Sequence, residues 1–332
     1  MWKLISDIVK SWPREFWFFL KGHIKDIRRK TWRMFPFLIL GVLLLYYLIG
    51  MAIINNIDDT KFFQPKVEDK IALGSTSVSK MVGLIDREVS ENGWVMNDPI
   101  FKPGWFLDNM PNFQQGMFSA FARFSLELRD QIGRTRGTSA SDVNLEEAAG
   151  LLPYPGDVWI FNFSTSFLPT ASAERQYLKA KEALKNYNKR LSAGEAIFER
   201  RGDNLMATLD RIALDLGASS AAIDNQLKEN SNNFFDTSAD DLFYNIKGQT
   251  YGYYQIIQGL RVDYEKLIDS RELFPIYDQM LKSFSEINSL DPWIVVNGKT
   301  DGQILPNHLA VQGFYLLRAR AQLREITNIL LK

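Results

Sequence analysis

The sequence contains no cysteine and two histidines, His23 and His308, among 332 residues. A chain without thiols can form neither a disulfide framework nor a thiolate metal site. Two histidines so far apart supply neither the ligands of a zinc site nor the base of a serine–histidine triad. We therefore predict no metal site, no cofactor and no catalytic residue.

Carboxylates remain as candidates for acid–base chemistry, because pairs of adjacent acidic residues occur. Examples are Asp58 with Asp59, Glu146 with Glu147, and Asp240 with Asp241. Paired carboxylates hydrolyse glycosides in many enzymes. Here each pair stands at a predicted helix start or in a loop, where capping and attraction to the helix dipole explain it. We predict that the chain is not an enzyme, with a carboxylate-only enzyme as the alternative.

One long stretch, from residue 34 to residue 57, carries no charge. Residues 35–54 form its apolar centre and read FPFLILGVLLLYYLIGMAII. Twenty helical residues span about 30 Å, the thickness of the apolar core of a bilayer. Inside hydrocarbon, backbone amides must bond within the segment, which requires a helix. The pattern predicts a transmembrane helix. A buried core helix is the alternative, and a cleaved signal peptide is disfavoured by the long apolar core, the late start and the missing A-x-A site.

The basic residues lie on one side of this predicted span. Residues 1–34 contain nine Lys and Arg against three Asp and Glu, a net charge of +6, although the whole chain sums to zero. An excess of Lys and Arg beside a spanning helix marks the cytoplasmic side. We therefore predict a cytoplasmic N-terminus and a domain of about 275 residues on the far side.

The N-terminal segment itself has the pattern of an interfacial helix. Its first twelve residues place apolar side chains at helical spacing, and tryptophan on the apolar face of a basic helix suits the headgroup layer. The predicted lipid-facing residues are Trp2, Trp12, Trp17, Arg28, Arg29 and Lys30. The basic cluster attracts anionic lipid and needs no nucleic acid to explain it. The alternative is a packing face for another protein's helix.

The rest of the chain has almost entirely helical periodicity. The predicted divisions are a cytoplasmic segment (1–34), the transmembrane helix (35–54), a linker (55–76) and a periplasmic helical domain (77–332), with a subdivision near residue 170 left open. The longer predicted helices cover 76–91, 114–132, 171–191, 192–216, 218–229, 238–270, 272–290 and 306–332. Residues 158–163 have strand-like composition, but one short strand does not make a sheet.

The predicted fold class is therefore all-α. It comprises an N-terminal interfacial amphipathic helix, one transmembrane helix and an exported multi-helix bundle with two loops rich in aromatic residues and proline. In the last helix, leucines recur every seven residues, at Leu309, Leu316, Leu323 and Leu330. This spacing fits a coiled-coil seam. Because Val311, Phe314 and Leu317 widen the apolar face, we favour a helix packed in the core of the bundle.

The two aromatic loops, residues 94–113 and 151–163, are the candidate partner or ligand surface. The residues singled out are Trp94, Phe101, Trp105, Phe106, Trp159, Phe161 and Phe163. Aromatic faces on such loops bind peptides, glycans or lipid tails. The alternative is that the loops plug the ends of the bundle as a small core.

Three long blocks of the sequence resemble a bacterial family designated domain of unknown function 2333. They read NGWVMNDPIFKPGWFLDNMPNFQQGM, YPGDVWIFNFSTSFLPTASAERQY and LPNHLAVQGFYLLRARAQLREI. The similarity runs from about residue 35 to the C-terminus. It implies a single-pass protein of the inner membrane of Gram-negative bacteria that faces the periplasm, and it brings no activity or catalytic residue with it.

The expected function is that of an interaction protein whose periplasmic domain scaffolds or recruits an envelope protein complex. The alternative is a periplasmic sensor or carrier that binds a lipid, glycan or peptide through the aromatic loops. Membrane lipid and an envelope protein are the expected partners, nucleic acid is not, and homo-oligomerisation is left open.

Overall fold

The computed structural model describes residues 14–134, 141–161, 168–229, 237–292, 294–296 and 306–332. Outside this part lie Trp2, Trp12 and Phe163, together with the side chains of Trp17, Arg28, Arg29 and Lys30. The chain divides into two compact units, Met1–Ile53 and Ile54–Lys332. The second unit includes residues 170 and beyond without a subdivision.

The first unit contains helix α1, Arg14–Ile54. Its stretch Met34–Ile54 is 21 residues long, and no residue of it is buried within the protein. By length and composition, this is the one helix in the described part of the chain that could cross a membrane. The predicted transmembrane segment, residues 35–54, falls within it.

The second unit is helical throughout its described core. Its helices are α2 (Thr76–Asp86), α3 (Asn109–Glu127), α4 (Val143–Leu151), α5 (Ala173–Ser192), α6 (Gly202–Glu229), α7 (Thr237–Asp263), α8 (Glu265–Ser270), α9 (Phe274–Asn288) and α10 (His308–Leu330). Two π-helical turns, Arg87–Glu91 and Leu128–Ile132, extend α2 and α3, and a 3₁₀ turn covers Pro103–Phe106. The described residues contain no strand, so the all-α prediction is confirmed. Residues 158–161, the described part of the strand-like stretch, form an irregular loop.

Helix α7 is the centre of the second unit and packs against α2, α3 and α9. It meets α3 backbone to backbone through two glycines. A Cβ atom on Gly248 would lie 1.9 Å from the carbonyl oxygen of Phe113, and one on Gly116 would lie 1.9 Å from that of Asn245. Because those carbonyls belong to helix backbone, a larger residue would force the two helices apart.

Helix boundaries differ from the predicted ones where proline and glycine were taken as stops. Helix α6 passes through Gly217 to Glu229, so the two helices predicted on either side of this glycine are one. A Cβ atom on Gly217 would lie 3.0 Å from the guanidinium carbon of Arg320, so this glycine allows α10 to pack closely against the helix. Helix α3 begins at Asn109, before Pro111. The amide that Pro111 lacks belongs to the first turn, where no intrahelical acceptor exists.

Helix α10 confirms one prediction and corrects another. Its heptad leucines are buried in the core, as expected for a bundle helix. Val311, Phe314 and Leu317, which were predicted to widen the same face, are instead 43% to 60% exposed. Two residues along a helix correspond to a rotation of about 200°, which places Val311 opposite Leu309. We refer to these three residues as the α10 stripe.

Candidate functional site: the exit strap and the aromatic surface

Residues 55–63, which follow α1 directly, form an irregular segment that we call the exit strap. Buried cations of the bundle hold its two carboxylates. The Lys247 Nζ atom, on α7, lies 3.0 Å from Asp59 Oδ2 and 3.5 Å from Asp291 Oδ1. The Arg87 Nη1 atom lies 3.0 Å from Asp58 Oδ2. The acidic pair predicted as part of a loop is thus tied to the interior of the domain.

Arg87, which holds Asp58, lies in a buried network of charged and aromatic side chains. Its Nε atom lies 2.7 Å from Glu88 Oε1, and the Glu88 side chain is fully buried. Gln114 Nε2 donates to the other Glu88 oxygen at 3.1 Å. The guanidinium also faces the rings of Phe63 and Tyr251, at 5.3 and 5.4 Å. Burial acts to lower the pKa of Arg87, but the neighbouring negative charges, first that of Glu88, raise it.

The backbone carbonyls of the strap accept hydrogen bonds from side chains of the bundle. The Tyr251 hydroxyl and the Gln255 amide each donate to the carbonyl of Thr60 at 3.1 Å. Lys80 Nζ donates to the carbonyl of Phe63 at 2.9 Å and to Gln255 Oε1 at 2.7 Å. Burial lowers the pKa of Lys80 to about 8. An unpaired buried carbonyl is costly, so these donors fix the path of the strap.

For Asp58, burial acts to raise the pKa, but hydrogen bonds from Thr60 and the charge of Arg87 outweigh it and lower the pKa. A lowered pKa keeps the carboxylate ionised at neutral pH and keeps its attraction to Arg87. The strap is therefore fastened by charge at its middle and by backbone hydrogen bonds beyond it.

A separate buried network fixes the start of α2. The carboxylate of Asp263 accepts from the amides of Thr76 and Ser77, at 2.6 and 3.0 Å, and from the hydroxyls of Ser75 and Ser77, both at 2.7 Å. Free amides at a helix N-terminus attract an anion. Here the chain supplies that anion itself, so this cluster is structural.

The two aromatic loops do meet, and Trp94 joins them from within. Its side chain is buried, and its Nε1 atom donates to the carbonyl of Gly156 at 2.7 Å. Its ring stacks edge-on against Phe118 and Tyr177, with centroids 4.7 and 4.8 Å away. Trp94, predicted as part of the candidate surface, is therefore a core residue. For this residue the structure agrees with the alternative prediction, in which the loops form a small core at the end of the bundle.

The other described aromatic residues of these loops reach solvent, and we call them the aromatic surface. They are Phe101, Trp105, Phe106, Trp159 and Phe161. All but the half-buried Trp159 are 40% to 59% exposed. Phe101 and Trp159, one from each loop, have ring centroids 6.1 Å apart, and Trp105 and Phe106 form an edge-on pair at 4.7 Å.

The aromatic surface and the exit strap lie at the same end of the second unit. A polar cleft of about 410 Å³ is lined by Asn55, Asn56 and Ile57 of the strap and by Asn109, with Tyr244, Asp291 and Pro292 completing it. Asn109 follows Phe106 by three residues, a distance of at most about 11 Å along the chain. The rings therefore stand close to the first residues after α1.

Three carboxylates gather beside this cleft, at the starts of α3 and α7. Burial and the negative charges of Asp108 and Asp241 raise the pKa of Asp240 to about 6, although Asp240 accepts a hydrogen bond from the Val295 amide. Asp241 accepts from the Asn112 amide at 2.7 Å. In the part of the chain that the structure describes, no group of three or more His, Cys, Asp or Glu side chains is placed to hold a metal ion.

A second cleft, of about 300 Å³, opens between α3, α5 and the loop after α4. Its lining includes Phe118, Tyr154, Tyr177 and Arg123. Arg123 is paired with Asp215, with 3.2 Å between Nε and Oδ2. A cleft of this volume is at the lower limit for a small-molecule site.

Lys80, Arg87 and Lys247 are the residues that the sequence prediction missed. A signal for one of them exists in the sequence. Lys247 lies four residues after Phe243 and four before Tyr251, on a stripe of buried aromatic residues. A charge on such a stripe requires a buried partner. The identity of that partner, Asp59, is not local information, because 188 residues separate the two positions.

Comparison with known proteins gives one finding. The family model described as "Uncharacterized protein conserved in bacteria (DUF2333)" matches residues 29–332, nearly the whole chain. No curated protein and no solved structure matches the chain. The match agrees with the resemblance carried by the three sequence blocks.

Proposed function

Because the chain belongs to the bacterial DUF2333 family and its described residues contain one helix apolar enough to cross a membrane, we propose that it is a single-pass protein of the bacterial inner membrane. The net charge of +6 on residues 1–34 supports a cytoplasmic N-terminus. In this orientation the unit Ile54–Lys332 faces the periplasm.

Within the periplasm, the domain acts as a scaffold that recruits an envelope protein. The observation that carries this proposal is the exit strap. Its ion pairs with Arg87 and Lys247 make the first residues after α1 part of the folded body. A domain whose fold begins at the first residues after its anchor keeps a partner close to the membrane, which is what a membrane scaffold must do. The proposal includes no catalytic step, cofactor or nucleic acid.

The α10 stripe is the face that we assign to the protein partner. Val311, Phe314 and Leu317 repeat every three residues and are exposed. Apolar anchors at this spacing dock into the groove of another helical protein. The exposed Arg318 stands next to Leu317. A polar rim around apolar anchors is typical of protein–protein interfaces.

A photo-crosslinking amino acid at position 314 of the full chain, in intact cells, tests this proposal. We expect a discrete crosslinked product that mass spectrometry identifies as an envelope protein, and Phe314→Ser should abolish co-purification without lowering the melting temperature. The same amino acid at position 143, also exposed, is the matched control. Failure to obtain any reproducible partner from native membranes would argue against a scaffold, and a product of two copies of this chain would replace it with self-association.

A sensor or carrier is the second candidate function, and the aromatic cleft of about 300 Å³ favours it. Phe118, Tyr154 and Tyr177 offer ring faces, and Arg123 offers a charge. In this case a lipid or glycan should co-purify with the protein and be recoverable by solvent extraction. Several independent preparations that yield no such molecule would exclude the carrier.

A further inference from the structure

We propose that the aromatic surface inserts into the periplasmic leaflet of the membrane that α1 crosses, and so forms a second, non-covalent attachment of the domain. The proposal rests on the membrane anchoring put forward above and adds a contact that a single span does not require. Its occupant is the lipid bilayer itself, not a soluble ligand or a protein.

Two rings of the aromatic surface lie only a few residues along the chain from the cleft at the end of α1. Asn55 follows α1 without a break and lines the same cleft as Asn109. Trp105 and Phe106 precede Asn109 by four and three residues, within about 14 Å of chain. If α1 ends at the bilayer surface, these rings are within reach of that surface by covalent connection alone.

The exposed side chains are of the types that suit the boundary between lipid headgroups and acyl chains. Tryptophan concentrates at the boundary between headgroups and acyl chains, because its ring is apolar and its indole N–H is polar. Ile100 and Ile160, neighbours of the surface in both loops, are exposed as well. Ile294, from a third loop, is also exposed, and the adjacent Val295 donates its amide to Asp240 at this same end of the domain. Three separate loops thus present exposed apolar side chains.

The titratable groups around the aromatic surface are mainly acidic. The nearest titratable cluster consists of Asp108, Asp240 and Asp241, and Lys102 is paired with Asp98 at 2.7 Å. This end therefore lacks the excess of cations that draws a protein to anionic lipid. Insertion must depend on apolar burial, so we expect it to be equally strong on zwitterionic and on anionic bilayers and insensitive to salt.

The rings are also held ready for insertion. The buried Trp94 ties the first loop to the carbonyl of Gly156, and the backbone amide of Thr170 donates to the carbonyl of Ile160 at 2.7 Å in the second. Loops fixed in this way lose little conformational freedom when they enter the headgroup layer.

The absence of cysteine makes a direct test possible, because every introduced cysteine is the only one in the chain. Full-length protein carrying Trp105→Cys, Phe106→Cys or Phe101→Cys is labelled with a nitroxide and reconstituted in phosphatidylcholine vesicles, with or without phosphatidylglycerol. Electron paramagnetic resonance then measures collision with oxygen, which enters lipid, and with a nickel chelate, which stays in water.

Two control positions separate this inference from the proposed anchoring. Leu45→Cys lies in the stretch Met34–Ile54 and reports whether α1 is in the bilayer. Val143→Cys is exposed and adjoins Leu145, which packs against Gly133 just beyond the C-terminal end of α3, about 30 Å along that helix from Asn109. Its label should remain in water.

We expect the labels at positions 105 and 106 to favour oxygen over nickel several-fold, at a depth of about 5–10 Å, in both kinds of vesicle. Labels at these positions that match position 143, while position 45 is buried in lipid, would overturn this inference and leave the anchoring intact. Exposure of position 45 to nickel would instead overturn the anchoring. Labels that are shielded from both reagents in native membranes, and from neither in vesicles, would identify a protein occupant and also overturn the inference.

Discussion

The exit strap and the aromatic surface each reverse the usual distribution of residues, in different ways. The strap region buries charged groups, Lys247, Arg87 and Glu88, that are normally exposed. The aromatic surface exposes rings, such as Trp105 and Phe106, that are normally buried. The buried charges all have partners inside the domain. The rings leave about half of their apolar surface in solvent, and that exposed half gains nothing from folding.

The two regions therefore differ in the free energy that a substitution changes. For a structural residue it is the free energy of unfolding, and for a functional residue it is the free energy of binding. Removing one member of a buried ion pair leaves an uncompensated charge and destabilises the fold. Removing an exposed ring leaves the fold unchanged and affects only binding. The following variants test this distinction, in order of decreasing expected effect on stability.

The largest effect is expected for Arg87→Met, because the fully buried Glu88 then loses its counter-charge. We expect the free energy of unfolding to fall by about 4 kcal/mol, measured by chemical unfolding of the full chain in detergent. The double variant Arg87→Met with Glu88→Gln should recover part of the loss. Arg201→Met, which breaks an exposed pair with Asp203, should cost less than about 0.5 kcal/mol. Equal losses in the two single variants would contradict the assignment.

Trp94→Ala tests the division within the aromatic loops. The buried ring and its hydrogen bond to Gly156 are both lost, so we expect a loss of about 3 kcal/mol. The measurement is the same unfolding experiment. A melting temperature close to that of the unaltered chain would show that Trp94 belongs functionally with the exposed rings.

Asp59→Asn should loosen the exit strap. Lys247 then keeps a carboxylate only at 3.5 Å, from the exposed Asp291, and we expect a loss of about 2 kcal/mol. Hydrogen–deuterium exchange should accelerate at residues 58–63 and not in α7. The control is Asp291→Asn, which keeps the closer partner and should leave exchange in the strap unchanged. Rapid exchange throughout the domain would mean that the strap is not a separable element.

Asp240→Asn should stabilise the protein at pH 7.5 by about 1 kcal/mol, a figure reduced for the partial exposure of this group. The folded-state pKa of about 6 exceeds the ordinary value of 3.8. Folding is therefore weakened as pH rises from about 4 through 6, and the gain from the substitution should disappear near pH 4. Thermal unfolding at the two pH values measures it.

Asp86→Asn is the control, because its expected effect on stability at pH 7.5 has the opposite sign. Burial acts to raise its pKa, but hydrogen bonds from Lys66 and Lys181 outweigh it and lower the pKa to about 2. The stability that this carboxylate contributes is present above pH 4 and is lost as pH falls towards 2, so the substitution should destabilise the protein at pH 7.5. A stabilising effect of both substitutions would show that the two environments are not distinct.

The smallest effect is expected for Trp105→Ser combined with Phe106→Ser. Both rings are about half exposed, so the free energy of unfolding should change by less than about 0.5 kcal/mol. A loss comparable with that of Trp94→Ala would place these rings in the plug and remove the contrast between the two regions.

The sequence was sufficient for features that depend on local periodicity. The heptad leucines of α10 predicted its buried face, and proline with aromatic residues marked the two loops. It was insufficient where distant residues decide the outcome. Trp94 and Trp105 occupy the same loop, and Trp94 is a core residue because of contacts with the distant Gly156, Phe118 and Tyr177. In the same way, Gly217 does not end α6, and the residue that packs against it, Arg320, lies about a hundred residues later.

The fastening of the exit strap also limits how far the domain can search for a partner. A flexible linker over residues 55–76 would have a root-mean-square length of about 25 Å. With Asp58 fixed to Arg87, only residues 55–57 separate Ile54 from this fixed point of the domain, about 14 Å at full extension. In the membrane arrangement that we propose, the domain therefore stays close to the bilayer, and its partner must be anchored in the same membrane or extend down to it.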